Sequence, residues 1–235
     1  MQFNLLPASF PYRLARRSFA GVLLGTYAIC LASCSKEETG DTAPALPAMI
    51  TFTAPGLFPE GVQYDATNQA FLVSSLTTGN VGRVKDDNTY SILAAGQATG
   101  IASAVGLHLD EARTRVLVAS SNAVTGDVAK LVSLDRDKGT VNFTADLGAL
   151  RPSASGHFAN DIAVDGQGNA YVTDSFAPVI YKVTAQGVAS VFLDDARLAA
   201  APGAFGLNGV VFHADATGAI CSLPKPMKGP SSGCP

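Results

Sequence analysis

Asn160-Asp161-Ile162-Ala163-Val164-Asp165 recurs in altered form along this chain. The same pattern stands at Glu60-Gly61-Val62-Gln63-Tyr64-Asp65, at Val105-Gly106-Leu107-His108-Leu109-Asp110 and at Asn208-Gly209-Val210-Val211-Phe212-His213. Measured from Gly61, the copies lie 45, 100 and 148 residues further on. Apolar and polar residues alternate through each copy, the period of a strand that buries one face. Each of the first three copies leads into further strand signals. Second strands are expected at Ala70 to Ser75, Arg115 to Ser120 and Asn169 to Asp174; third strands at Val81 to Lys85, Ala129 to Leu134 and Val179 to Val183; fourth strands at Tyr90 to Ala94, Thr140 to Ala145 and Val188 to Leu193. Gln167-Gly168-Asn169 and Asp87-Asn88 supply hairpin turns, where a positive φ is often needed.

Four strands in each unit of some 45 to 55 residues is the arithmetic of a propeller blade. A β-sandwich also has short strands at regular spacing, but it gives no reason for one motif to recur at blade intervals. The chain is therefore expected to be all-β, an incomplete β-propeller with three full blades and part of a fourth between residues 56 and 215. Asp194 to Ala201 reads as a single helical turn. Residues 216–235, rich in Pro and Gly, read as an irregular and aberrant tail that cannot supply three more strands. A propeller stopped there would keep open sheet edges, which predicts marginal stability or self-association through those edges.

Residues 1–33 carry Arg13, Arg16 and Arg17, no acidic residue, and an apolar run from Phe19 to Ala32. That run is shorter than the roughly 20 residues of a membrane-spanning helix and has the layout of an export signal. Leu31-Ala32-Ser33-Cys34 resembles the bacterial lipobox, which implies cleavage before Cys34, a lipid on its thiol and a place anchored in the bacterial cell envelope. Arg16-Arg17-Ser18-Phe19 resembles part of a twin-arginine signal, so Sec and twin-arginine export both stay open. Residues 34–55 then read as the lipidated cysteine and a flexible tether. Of four cysteines, only Cys221 and Cys234 remain beyond Cys34, and nothing in their spacing suggests a zinc cluster or a redox pair.

Charged residues make up 15% of the 235 and hydrophobic residues 47%, which excludes disorder, coiled coil and collagen. The formal net charge is −3, and no basic block occurs after Arg17, so nucleic acid is not an expected partner. There is no Gly-x-Ser-x-Gly elbow, P-loop or dinucleotide fingerprint.

Phe58-Pro59-Glu60-Gly61, Gly106-Leu107-His108-Leu109-Asp110-Glu111-Ala112-Arg113, Phe158-Ala159-Asn160-Asp161-Ile162-Ala163-Val164-Asp165 and Gly206-Leu207-Asn208-Gly209 stand in this order. In order and spacing they resemble the senescence marker protein/gluconolactonase/strictosidine synthase-like superfamily of six-bladed propellers, over roughly residues 55 to 215. The resemblance implies a divalent metal on the propeller axis, Ca²⁺ first and Mg²⁺, Mn²⁺ or Zn²⁺ as alternatives, held by Glu60, Asn160 and Asn208. A fourth ligand of the family, an Asp from a later blade, has no counterpart in this chain. Asp161 and His157 are candidates to support the ligands. A carboxylate and two amide oxygens are hard donors, suited to such ions. The implied activity is metal-dependent lactone or ester hydrolysis; the alternative is a non-catalytic, envelope-anchored binding propeller. His108 is expected to face a neighbouring sheet, Asp65, Asp110 and Asp165 to serve turns, and Asp174 is a weaker candidate for the channel wall.

Overall fold

The computed structural model describes residues 47–122, 124–201 and 204–213, and the backbone of 220–224. The export signal, Cys34 and the first part of the tether lie outside the described residues, as does most of the expected tail.

Three sheets of four antiparallel strands follow one another, each in chain order. The first holds β1 (Val62–Asp65), β2 (Ala70–Ser74), β3 (Val81–Lys85) and β4 (Tyr90–Ala94). The second holds β5 (Ser103–Asp110), β6 (Arg115–Ser121), β7 (Ala129–Asp135) and β8 (Val141–Asp146). The third holds β9 (Ala159–Val164), β10 (Ala170–Asp174), β11 (Val179–Val183) and β12 (Ala189–Asp194). β13 (Leu207–Phe212) and β14 (Ile220–Pro224) form a two-stranded sheet. The expected helical turn is a 3₁₀ turn at Ala196–Leu198, capped by the Asp195 carboxylate, which accepts the Arg197 N–H at 2.9 Å.

These sheets stack face to face as blades. β6 shows why the sequence requires it: all seven of its residues are buried, so both of its faces need an apolar partner. Val116 and Val118 face the first sheet, in a core with Leu72, Val81 and Ala94. Leu117 and Ala119 face the third, in a core with Ile162, Val172, Val179 and Tyr181. Tyr171 and Ile180 on the far side of the third sheet pack on Leu207 of β13.

The hairpins behave as the turn residues require. The Asp65 carboxylate accepts the Asn68 N–H at 3.0 Å and its Nδ2 at 2.8 Å. Asp165 accepts the same pair of bonds from Asn169, both at 2.8 Å. Asn88 and Gly168 take the left-handed conformation, with φ of 68° and 85°. Asp110 is tied to buried Arg115, whose Nε donates to it at 3.0 Å while the other guanidinium nitrogens reach Gly168 O at 2.6 Å and Ala185 O at 3.1 Å in the next blade.

Two boundaries differ from expectation. The tether expected to run through Pro55 ends sooner, because Ile50, Phe52 and Ala54 are buried with Leu57 against Val73 and Val84. This strap alternates in and out like a strand, and it covers a face of the first blade that would otherwise present Phe71 and Tyr90 to water; Phe52 stacks on Tyr90 with ring centroids 5.7 Å apart. The tail expected to be irregular from residue 216 contains β14, which pairs antiparallel with β13 from Phe212↔Ile220 to Leu207↔Pro224.

Arg115→Ala would leave the Asp110 carboxylate without its main partner in a buried place and two carbonyls of the next blade without a donor. Loss of one member of a buried pair costs about 3 to 5 kcal/mol; urea unfolding is expected to show a loss of this order, which Arg115→Lys recovers only in part.

Candidate functional site

The first strands of successive blades come very close together. A Cβ built on Gly61 would lie 2.7 Å from Val105 O, and one on Gly106 would lie 2.2 Å from Asn160 O. Only glycine permits this approach. In the third blade the same register position holds Asp161, whose side chain spans to the next strand and accepts the Val210 N–H at 2.9 Å through Oδ2. Gly209 lies against that oxygen: a Cβ there would be 3.7 Å away.

The expected residues stand at the openings of β1, β9 and β13, with Glu60 in the field of Asp161. Glu60 remains exposed, yet the surrounding protein, and after it the negative charge of Asp161, raise its carboxyl above the ordinary 4.5. Asn160 is buried and donates from Nδ2 to Ser175 Oγ at 2.7 Å; Ser175 in turn donates to Leu207 O. Its amide orientation is thereby set, with Nδ2 committed as the donor. Asn208 is half-buried, and its carbonyl accepts the Thr173 hydroxyl at 2.7 Å. His108 faces the third blade, as expected, through a hydrogen bond with the Ile162 backbone; burial lowers its pKa from 6.5, and Asp110 and Asp161 oppose that shift.

The donor set suits a hard cation in chemistry. Two carboxylates sit in each other's field, and the Asn160 amide is turned so that its oxygen is available. Among the described residues no three of His, Cys, Asp and Glu are grouped for a metal, so a cation here would depend on amide oxygens.

His157, expected to support Asn160, is held by other partners. Its Nδ1 lies 2.7 Å from Asp174 Oδ2, and Tyr181 Oη is 3.3 Å from both. Asp174 is fully buried, not on the channel wall. Tyr181 and Ser175 were not singled out from the sequence. The available signal was the register: Asp174 stands two residues beyond Val172, which pairs with Ile162, where the first blade has Ser75 two beyond Val73, paired with Val62. An acid in place of that serine asks for a partner.

Solved structures bear on the fold. The major allergen Mala s 1 of Malassezia sympodialis superposes with a TM-score of 0.57 at 20% identity, covering 67% of this chain and 54% of the allergen. Virginiamycin B lyase from Staphylococcus aureus superposes with a TM-score of 0.55 at 12% identity, covering 77% and 60%. The chain has the β-propeller fold. A streptogramin B lyase superposes with a TM-score of 0.52 at 14% identity, covering 75% of this chain and 57% of the lyase. The chain thus spans little more than half the length of these propellers. No protein-family model and no curated protein matches it.

Because Glu60 is raised in the folded protein, the folded state binds more protons than the unfolded one just above pH 4.5. Its contribution to stability is present below that pH and is lost as pH rises through the folded value. Asp161→Asn removes the like charge, so NMR titration of the Glu60 carboxyl is expected to show a lower midpoint, and the loss of stability over this window should shrink.

Proposed function

We propose that this propeller is a hydrolase or lyase of small organic molecules, with lactones and esters as the substrate class, acting at the openings of β1, β9 and β13. The observation that carries the reading is the Glu60 and Asp161 pair, two carboxylates in each other's field where the innermost strands meet. A carboxylate raised toward neutrality is a stronger base and serves general acid–base chemistry. Glu60 would take a proton from water approaching a carbonyl, with Asp161 fixed beside it on the Val210 N–H. Glu60, Asn160 Oδ1 and Asn208 would hold a divalent ion, Ca²⁺ first and Mg²⁺, Mn²⁺ or Zn²⁺ otherwise. Such an ion polarises a substrate carbonyl. The fold shared with virginiamycin B lyase is compatible with this reading and does not select a reaction.

Calorimetric titration of the full chain with Ca²⁺, Mg²⁺ and Mn²⁺ tests the reading. A micromolar site is expected in the wild type and is expected to vanish in Glu60→Gln, with metal-stimulated lactone or ester cleavage falling at least a hundredfold, the scale of a lost general base. A folded protein that binds no metal and cleaves neither class would sink the proposal and leave the binding propeller as the better reading.

We also propose, from the resemblance of Leu31-Ala32-Ser33-Cys34 to the lipobox, that the protein is anchored in a bacterial envelope by a lipid on Cys34. Metabolic labelling with an alkynyl fatty acid is expected to tag the chain expressed in a bacterial host and to leave Cys34→Ala untagged; equal labelling of both would remove the anchor.

A further inference from the structure

Two buried hydroxyls join the openings of β9 and β13. These strands belong to different sheets, so no strand ladder fixes one against the other. Thr173 Oγ1 donates to Asn208 O at 2.7 Å and accepts the Asp161 N–H at 3.1 Å. Two residues further on, Ser175 Oγ donates to Leu207 O and accepts from Asn160 Nδ2 at 2.7 Å. Both residues are buried. Asp174 between them holds the segment in place: its Oδ1 accepts the Phe158 N–H at 2.9 Å, and the Phe158 carbonyl in turn accepts the Ser175 N–H at 2.8 Å.

A hydroxyl has one proton to donate. Ser175 spends its proton on Leu207 O, so only lone pairs face Asn160, and the amide must turn its nitrogen to meet them. A reversed amide would set two buried acceptors against each other, which carries the full cost of an unmade hydrogen bond. Thr173 is committed in the same way, with its proton on Asn208 O and a lone pair on the Asp161 N–H.

The other blades show that this clasp is not the general means of joining blade to blade. Ser74 stands where Thr173 does, one residue beyond the partner of the first strand's apolar residue, and accepts the Gly61 N–H at 2.7 Å; the second blade has Ala119 there. Ser121 stands where Ser175 does and donates to Ala159 O at 3.0 Å; the first blade has Leu76 there. Each earlier blade thus has one of the two hydroxyls, and the third has both. Among the described residues its junction is also the one at which both neighbouring first strands open on an asparagine, Asn160 and Asn208.

We propose that Thr173 and Ser175 are positioning residues that lock Asn160 and Asn208, from adjacent blades, into one arrangement for a hard divalent cation. They act through the asparagines and touch no cation themselves. That the bound species is a cation rests on the metal reading above; the clasp itself does not.

Two measurements on the full chain test the proposal. The first uses metal-free protein and hydrogen exchange read by NMR. Exchange of the Asn160 side-chain amide is expected to speed up by about tenfold or more in Ser175→Ala, and that of the Asp161 backbone N–H by as much in Thr173→Val, while the amides of β6 keep their protection, which a general loss of stability would not spare. Thr173→Ser keeps the hydroxyl and is expected to restore slow exchange. Should Thr173→Val not fold, Ser175→Ala decides.

The second is calorimetric titration with Ca²⁺, Mg²⁺ and Mn²⁺. Ser175→Ala and Thr173→Val are each expected to bind about tenfold to a hundredfold more weakly than the wild type, the scale of losing a group that orients a ligand, with Thr173→Ser within about threefold. Ser121→Ala removes a hydroxyl between blades without touching an asparagine side chain and is expected to bind like the wild type. Unchanged affinity in both Ser175→Ala and Thr173→Val, an equal loss in Ser121→Ala, or an Asn160 amide that exchanges in Ser175→Ala as it does in the wild type would overturn the proposal. A wild type that binds none of the three ions sinks the metal reading and takes the cation out of the proposal; the exchange measurement then decides by itself whether the two hydroxyls lock the asparagines.

Discussion

Everything else in this molecule depends on how closely the first strands of neighbouring blades approach. At Gly61 and Gly106 there is no room for a side chain, because the next strand's backbone already occupies the place of a Cβ. That contact joins β1 to β5 and β5 to β9, while β9 packs on β13. Asp161 is the informative exception. It holds the glycine position of the third blade and reaches β13 by accepting the Val210 N–H, exchanging backbone contact for a side-chain hydrogen bond.

Most acids along the strands have fixed partners, and Glu60 is the exception. At the hairpin end, Asp65 and Asp165 are held by asparagines and Asp110 by Arg115. Each acid there is used to close a turn or to bind one blade to the next. At the other end, Asp174 is held by His157 and Asp161 by the Val210 N–H, while burial, and after it the charge of Asp161, raise Glu60. A carboxyl raised by burial and a like charge costs stability and serves no turn.

The blades were legible because their strands bury both faces and their turns need special residues. β3, β4 and β11 begin and end where the alternation does, and the other expected strands of the three full blades agree within a residue or two. The strap was not legible, since Ile50, Phe52 and Ala54 are too few to distinguish from a linker until the face they cover, with Val73 and Val84, is in view. β14 was missed for a related reason: five residues ending in Pro224 become a strand only because β13 is there to pair with. At the site, the resemblance to the propeller superfamily pointed to Glu60, Asn160 and Asn208, which open three of the four copies. The partners of His157 repeat nowhere. They come from the register of β10 and β11, 17 and 24 residues away, which no local pattern states.

The strap also carries a mechanical consequence. Its three buried side chains lie in a row along the first blade, and the Thr51 N–H is tied across to Asn88 Oδ1 at 2.7 Å. A pull applied along the chain from before residue 50 would load this row in shear, so that its contacts share the force, whereas a pull perpendicular to the blade would peel them away one after another. The first blade is in this way built to resist tension directed along its own surface.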